Sequence, residues 1–324
     1  MKALVQDGYC AADALRIADV AVPEPGPDEV QVRVHAAAVN PADWHIMRGD
    51  PRIARYLDRT MFGRRGPRQP IRGRDFAGTV TAVGLEVTSV AVGDEVFGEA
   101  EGTFAEYAVV PARQVSRKPA NLDFARAATV PLAAGTALVC LTAVAAGDRL
   151  LINGASGGVG TFAVQLAVAR GAKVTAVCST RNLDLVRSLG AHDVVDYTMG
   201  EPSGEFDVVV DLVGNRSVRA LFGLLTRRGR LVLSGGGVYA GGTLFGPVGL
   251  MIRGQLAGML TPRKVSTPLA KTTVAGLDEL RALIELGQLV PVVDRRYSLD
   301  DAAAAVAYVE AGHARGKVVV DIAS

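Results

Sequence analysis

The chain has few cysteines and few aromatic residues. Its three cysteines, Cys10, Cys140 and Cys178, lie far apart, which excludes the paired spacings that bind zinc or build a disulfide framework. Such sparing use of cysteine is typical of a reducing compartment, and we expect a cytoplasmic protein. Aromatic residues make up 5% of the chain and hydrophobic residues 49%, so the apolar content is mainly aliphatic. This composition favours an α/β protein with buried parallel strands.

A large net charge and a clear membrane-spanning run are also missing. The formal net charge of +2 is too small to predict nucleic acid or an anionic membrane as a partner of the whole chain. The first residues lack the apolar core of a signal peptide, so we expect no export. Residues 127–147 carry no charge but include Pro131, Gly135 and Gly147, and we expect a buried helical segment there rather than a membrane helix.

The residue pattern changes near position 120. Before it, short segments alternate between apolar and polar residues, as in Val30, Val32 and Val34, which predicts strands with one buried face. After it, apolar strands alternate with helical segments of roughly 10 to 15 residues, which predicts βαβ units and a parallel sheet. A chain longer than about 250 to 300 residues tends to form two domains, so we expect two.

Four glycines fall within the segment NGASGGVG, residues 153–160, between a predicted strand and a predicted helix. They serve either a tight packing turn or a cradle in which a pyrophosphate approaches the N-terminus of the helix. Against the dinucleotide pattern GxGxxG, Ala155 replaces the first glycine while Gly157 and Gly160 match. We favour the cradle. The predicted cofactor contacts in this turn are Ala155, Ser156, Gly157, Gly158 and Val159.

The end of the second strand of this region indicates which dinucleotide binds. Ser179, Thr180 and Arg181 follow that strand, and no carboxylate occurs there before Asp184. Hydroxyl groups and a guanidinium suit a 2′-phosphate, whereas a free ribose 2′-hydroxyl calls for an acidic acceptor. These residues therefore predict NADPH, and the alternative is that Arg181 is only a solvated residue at a helix start.

Several segments together resemble a known family. In chain order they are GRDFAGTVTAVG, VGDEVFG, NGASGGVG, VCSTRNLDLVRSLGA, VVDY and HARGKVVVDI. They are similar to the medium-chain dehydrogenase/reductase superfamily, and specifically to its zinc-independent quinone oxidoreductase branch. The resemblance implies a GroES-like β-barrel domain of residues 1–121 and 267–324, a Rossmann domain with a doubly wound parallel sheet of residues 122–266, and a homodimer.

The resemblance also indicates that no metal takes part. Zinc-dependent relatives carry ligands at the positions that correspond to Asn40, Arg74 and Leu132 in this chain. An amide, a guanidinium and an isobutyl group do not hold zinc. Asp43 and His45 lie nearby in the sequence but lack a third candidate ligand, so we expect no metal site.

Without a metal, a conjugated acceptor is an easier substrate than an alcohol or ketone, because hydride addition sends charge into an extended oxyanion. The resemblance implies that Asn40 faces the substrate, that Thr136 lies beside the nicotinamide and that Asp43 orients a neighbour or relays a proton. Alternatively, Asn40 only forms the turn before Pro41, and Thr136 is an ordinary helix threonine. Asp43 is alternatively part of a structural turn.

Further cofactor contacts are implied by the resemblance alone. Tyr197 corresponds to a tyrosine near the adenosine phosphate, and the others follow later strands or begin the last one: Val213, Gly214, Ser234, Gly235, Gly236 and Lys317. The alternative for Lys317 is a surface lysine at the start of a strand. The alternative for each of the other residues is an ordinary strand end.

Between Arg52 and Arg74 there are eight arginines, opposed within the run only by Asp58. Such a run could attract an acidic acyl carrier, a phosphate or RNA. We favour a solvated, mobile loop over the cleft.

Taken together, the sequence predicts a cytoplasmic, metal-free NADPH-dependent reductase of quinones or other α,β-unsaturated carbonyls, with a small-molecule substrate and no nucleic-acid or membrane partner. One alternative is an enoyl-thioester reductase. The other is a protein that binds NADPH with little turnover and acts as a structural or nucleotide-responsive partner.

Overall fold

The computed structural model describes residues 1–235, 241–269 and 271–322. The predicted contact Gly236 therefore lies outside the described residues. The strands are β1 (Lys2–Val5), β2 (Arg16–Asp19), β3 (Glu29–Val39), β4 (Asp75–Val83), β5 (Glu95–Glu99), β6 (Tyr107–Pro111), β7 (Val115–Arg117), β8 (Arg149–Asn153), β9 (Lys173–Cys178), β10 (Asp193–Asp196), β11 (Phe206–Asp211), β12 (Leu225–Leu233), β13 (Lys264–Ser266), β14 (Val293–Ser298) and β15 (Lys317–Asp321).

The α-helices follow the same numbering scheme along the chain. They are α1 (Pro41–Arg48), α2 (Ala54–Leu57), α3 (Phe124–Ala127), α4 (Pro131–Cys140), α5 (Gly158–Ala169), α6 (Leu183–Ser188), α7 (Val218–Gly223), α8 (Gly246–Met259), α9 (Val274–Glu285) and α10 (Ala302–Glu310).

The chain forms two compact units. The first comprises Met1–Gly135, Lys271–Gly287 and Pro291–Ser324, and the second comprises Thr136–Ala270 and Gln288–Val290. One boundary falls inside α4 and another falls after β13. The predicted domain limits at residues 121 and 267 stay predictions.

The first unit is built on a largely antiparallel sheet. Over the described residues its strands lie in the order β14-β15-β3-β4-β5-β7, and β6 pairs with β3. Of the strand pairs described in this sheet, only β14 and β15 are parallel. Val30, Val32 and Val34 of β3 are fully buried, as their alternation with polar residues predicts. This sheet is the β-rich domain that the front of the sequence predicts.

The second unit is built on a parallel sheet. In the described part of the chain its strands lie in the order β10-β9-β8-β11-β12-β13, and every pair is parallel. Counted from β8, this is the order 3-2-1-4-5-6 of dinucleotide-binding sheets, in which ligands bind at the carboxyl ends where the order reverses. That point lies between β8 and β11. The predicted fold class, a GroES-like domain with a doubly wound Rossmann domain, is confirmed.

The uncharged segment 127–147 contains α4, in which Ala133, Ala134 and Ala137 are buried. The expected buried helical segment is therefore present. Among the described helices, none is long and apolar enough to cross a membrane.

Candidate active site

The glycine-rich turn joins β8 to α5 and contains two glycines that packing requires. Gly154 has a φ of +89°, and a Cβ atom there would come within 2.6 Å of Val213 Cγ2. A Cβ atom on Gly160 would lie 2.1 Å from the carbonyl oxygen of Gly154. Ala155 is fully buried and its N–H donates to Val177 O at 3.1 Å, which holds the turn against β9. Packing therefore explains the two glycines, and whether Ala155 contacts the cofactor stays a prediction.

Gly157 is different, because nothing in the fold excludes a side chain there. It is the N-cap of α5 with a φ of −81°, and the nearest atom to a Cβ atom would be Gly154 O at 3.5 Å. A side chain at an N-cap covers the first N–H groups of its helix, which have no intrahelical partner. Gly158 and Val159 open α5 and are half-buried, and the first turn contains no acidic residue. This bare helix end fits the diphosphate of a dinucleotide.

Asn182 connects the two segments of the predicted nucleotide site and was missed in the sequence. Its side chain is buried, and Nδ2 donates to Ser156 Oγ at 2.9 Å and to Ser179 Oγ at 3.2 Å. Its Oδ1 has no hydrogen-bond partner within the described residues. The sequence offered only an asparagine at the start of a helix, which is a common capping position.

The predicted 2′-phosphate residues lie at the carboxyl end of β9, where a carboxylate approaches them. Thr180 and Arg181 are exposed and Ser179 is half-buried. Thr180 Oγ1 donates to Asp196 Oδ2 at 2.5 Å. The hydrogen bond from Thr180 lowers the pKa of Asp196. Asp196 comes close only through the pairing of β9 with β10, in which Cys178 lies opposite Asp196. This acid was therefore missed in the sequence.

The turn after β11 is held by a buried carboxylate. Asp211 Oδ1 accepts from the N–H groups of Val213 and Gly214, both at 3.1 Å, and from Asn153 Nδ2 at 2.8 Å. Ser234 N donates to Asp211 O at 3.0 Å. The structure thus brings three predicted cofactor contacts, Val213, Gly214 and Ser234, to one edge of the sheet.

The other predicted residues of the second unit are placed as follows. Gly235 abuts the backbone of Val213, where a Cβ atom would come within 2.7 Å of its carbonyl carbon. Tyr197 is 50% exposed and its N–H donates to Cys178 O at 3.1 Å. Thr136 is half-buried in the middle of α4, and its position beside a nicotinamide stays a prediction.

In the first unit, three buried polar side chains, those of Asn40, Asp75 and Lys317, bond one another. Asp75 Oδ2 accepts from Asn40 Nδ2 at 2.9 Å and from Lys317 Nζ at 3.3 Å, while Lys317 Nζ also donates to Asn40 Oδ1 at 2.5 Å. Asp75 Oδ1 accepts from the backbone N–H of Leu132 at 3.0 Å. We call Asn40, Asp75 and Lys317 the Asp75 cluster. Their exposed fractions are 2%, 0% and 3%, respectively.

Strand register assembles this cluster. β3 pairs with β4 so that Ala38 lies opposite Asp75, and β15 pairs with β3 so that Val318 lies opposite Val39. Asn40 and Lys317 are the next residues along those strands. Burial raises the pKa of Asp75, and the Lys317 ammonium is the largest influence opposing that rise. A buried charge pair of this kind is costly to leave incomplete.

The cluster changes the interpretation of two predicted residues. Asn40 Nδ2 donates to Asp75 and, at 3.3 Å, to Ala38 O, while its Oδ1 accepts from Lys317. Both N–H groups of the Asn40 amide are therefore used within the protein. The sequence instead predicts that this amide faces the substrate. Lys317 is buried, so the surface-lysine alternative is wrong. Whether Lys317 contacts the cofactor stays a prediction.

Two of the three positions that the resemblance matches to zinc ligands, Asn40 and Leu132, lie at this cluster. Asn40 and the backbone of Leu132 both bond Asp75, and Arg74 instead pairs with Glu99 at 2.6 Å. Across the described ranges, no group of three or more His, Cys, Asp or Glu residues is arranged to hold a metal ion.

Asp43 lies one turn into α1 beside the Asp75 cluster. Its Oδ2 accepts from the backbone N–H of Asn40 at 2.7 Å, and its side chain is buried. Burial raises the pKa of Asp43 to about 6, against the opposing effects of the Asn40 N–H and Arg74. A cavity of about 10 Å³ adjoins it and is lined partly by Arg72, Arg74 and Glu101. That volume is about the size of one water molecule.

The arginine run is only partly a solvated surface. Arg72 is 4% exposed, and burial lowers its pKa. Arg74 pairs with Glu99, and Arg55 lies 4.0 Å over the Tyr9 ring while its Nε donates to Gly49 O at 2.8 Å. For these three the solvated-loop prediction is wrong. The other five are exposed: Arg52, Arg59, Arg64, Arg65 and Arg68.

Comparison with known proteins agrees with this architecture. Residues 26–120 match the family model "Alcohol dehydrogenase GroES-like domain" and residues 189–320 match the model "Zinc-binding dehydrogenase". The chain is 36% identical to the mitochondrial NAD(P)H oxidoreductase RTN4IP1 of Mus musculus, over 91% of this chain and 82% of that protein. It is 34% identical to the chloroplastic NADPH-dependent alkenal/one oxidoreductase of Arabidopsis thaliana, over 99% of this chain and 79% of that protein.

A solved structure, the quinone oxidoreductase from Coxiella burnetii, superposes with a TM-score of 0.87 at 29% identity, covering 100% of this chain and 99% of that one. The chain therefore belongs to the medium-chain dehydrogenase/reductase superfamily, in its zinc-independent quinone oxidoreductase branch. The second unit accordingly takes a nicotinamide dinucleotide as its cofactor.

Proposed function

We propose that this protein is an NADPH-dependent oxidoreductase that transfers hydride to a quinone or another α,β-unsaturated carbonyl without a metal. The observation that carries the proposal is the bare first turn of α5 behind Gly157, at the point where the strand order reverses. Relatives named for the reduction of alkenals, alkenones and quinones support the substrate class.

The nucleotide is held by groups from successive strand ends. The first N–H groups of α5 would hold the diphosphate, and Ser179 and Arg181 would hold the 2′-phosphate, with Thr180 joining them once its hydroxyl leaves Asp196. Asn182 orients the hydroxyl groups of Ser156 and Ser179, which its Nδ2 contacts. When bound, NADPH supplies the hydride.

The Asp75 cluster places the Lys317 ammonium beside the Asp75 carboxylate in a buried setting. Hydride addition to a conjugated carbon places negative charge on the carbonyl oxygen of the acceptor, and fixed charges in a low-dielectric site stabilise it without reorganisation. The Lys317 ammonium is the positive group of the cluster, Asp75 offsets part of its field, and Asn40 and Asp75 are positioning residues that hold it.

The reaction is tested by following NADPH oxidation with a panel of quinones, enones, enoyl thioesters and saturated ketones. We expect turnover with quinones or enones and none with saturated ketones, which lack the extended oxyanion. Preferred turnover of enoyl thioesters would establish the enoyl-thioester reductase alternative instead. Tight NADPH binding with no turnover across the panel would establish the binding-protein alternative.

The preference for NADPH is tested at Arg181. Loss of its charged contact in Arg181→Ala should weaken NADPH binding by about tenfold or more and leave NADH binding nearly unchanged. Arg187→Ala is the matched control, because Arg187 is also exposed and bonds only Asp184 among the ion pairs of the described chain. An equal loss for NADPH and NADH would contradict the assignment.

The cytoplasmic location and the homodimer stay predictions. The relatives named above are mitochondrial and chloroplastic proteins, so cell fractionation is the measurement that decides the compartment.

A further inference from the structure

The second unit contains a cavity that the hydride-transfer site does not account for. Its volume is about 740 Å³, and it lies along the turn after β11, α7 and α8. Of the predicted cofactor contacts only Gly214 lines it, and no residue of the glycine-rich turn does so. Its volume falls within the range of about 300 to 1,000 Å³ that is typical of small-molecule sites.

The charge at this cavity has one sign. Arg216, Arg219 and Arg253 line it, and none of its lining residues is acidic. Arg216 is paired with Glu201, its side chain is 10% exposed, and burial lowers its pKa. Within the part of the chain that the structure describes, neither Arg219 nor Arg253 forms an ion pair. Two guanidinium groups are therefore available to an anion, each as a fork of N–H donors.

Part of the remaining wall is apolar, and Asn215, Ser217 and Thr261 make the rest polar. Phe222 and Leu250 line the cavity and pack on the core of the second unit, so their positions are set by the fold. Leu260 also lines it and is 87% exposed. An apolar wall beside unpaired guanidinium groups matches a ligand with an anionic head and an apolar body.

We propose that this cavity binds an amphiphilic organic anion, with its carboxylate or phosphate on Arg219 and Arg253 and its apolar body against Phe222 and Leu250. The ligand would also touch the turn at Gly214, whose N–H is held by Asp211. Because that turn is shared with the predicted nucleotide contacts, occupancy of the cavity is linked to cofactor affinity without competing for the diphosphate.

The test is calorimetric titration of the full chain with octanoate, octyl phosphate and 1-octanol, each with and without saturating NADPH. We expect both anions to bind at least about tenfold more tightly than the alcohol, since charge-assisted hydrogen bonds contribute that much. Stronger binding of octanoate identifies carboxylates as the natural class, and stronger binding of octyl phosphate identifies phosphates.

Matched variants locate the site. The pair Arg219→Gln and Arg253→Gln should weaken anion binding about tenfold or more, whereas Arg227→Gln with Arg228→Gln removes the same charge from exposed positions of β12 and should not. Leu260→Ser should weaken the anions and the alcohol alike.

Three results would overturn the inference: equal affinity for octanoate and 1-octanol, equal effects of the two arginine pairs, or complete displacement of the anions by NADPH. Catalytic turnover is measured separately with the acceptor panel, so failure of the proposed reaction and failure of this site are distinguishable.

Discussion

At the scale of single residues, Lys317 carries the clearest consequence of burial. In Lys317→Met, the fully buried Asp75 carboxylate loses the cation that balances its charge, which should cost about 3 to 5 kcal/mol of unfolding free energy. Adding Asp75→Asn removes that charge and should recover most of the stability. Denaturant unfolding of the single and double variants measures both effects.

Activity separates a structural role of Lys317 from an electrostatic one. If the ammonium stabilises the oxyanion, the stable double variant should still lose about 100-fold in kcat with little change in the NADPH KM. Recovery of kcat together with stability would show that Lys317 only joins β15 to β3 and β4.

Asp43 should make stability depend on pH. Its folded pKa of about 6 lies above the ordinary value of 3.8, so its contribution is fully present below about pH 4 and is lost as the pH rises through 6. The loss amounts to roughly 3 kcal/mol in wild type. Asp43→Asn keeps an acceptor for the Asn40 N–H but does not titrate. The free energy of unfolding, measured in urea between pH 4 and 7, should fall less with pH in the variant than in wild type. Parallel pH dependences of the two proteins would contradict the assignment.

At the scale of elements, the β8–α5 turn separates packing from binding at two glycines. Gly160→Ala places a methyl group on the backbone of Gly154 and should cost about 1 to 3 kcal/mol. Gly157→Leu meets no such contact and should cost about 1 kcal/mol or less, yet its side chain covers the first turn of α5.

Thermal unfolding and NADPH titration of both glycine variants provide the check. Gly157→Leu should retain its fold and lose NADPH binding, while Gly160→Ala should lose stability first. Normal NADPH binding by Gly157→Leu would contradict the assignment of the diphosphate to the first turn of α5.

At the scale of the whole molecule, the edge of the parallel sheet bears on assembly. Within the described residues β13 pairs only with β12, and its three residues are largely exposed. Exposed edge strands are commonly paired or covered. We expect the homodimer to appear in light scattering as a mass of about twice 33.8 kDa, and a 33.8 kDa species at micromolar concentration would contradict it.

The sequence predicts those parts of the site whose residues are close together in the chain, and misses contacts between residues that are far apart in it. The sequence predicts the glycine-rich turn because a strand, a turn and a helix follow one another within a few residues, but only the structure distinguishes Gly157, where a Cβ atom has room, from Gly154 and Gly160. Asp196 was missed because it approaches Thr180 only through the pairing of β9 with β10. Asn40 was assigned an open amide because its partners Asp75 and Lys317 lie far along the chain.

The amino-acid order alone was enough to define the doubly wound parallel sheet and the glycine-rich turn, since each depends on local pattern. Tertiary structure decided where Lys317 lies and what Asn40 does, because strand register brings residues 40, 75 and 317 into contact. It also decided the cavity at Arg219 and Arg253, which forms only when α7 and α8 fold against one sheet. Local patterns record the period of a strand or helix, but not the register between segments distant in the chain.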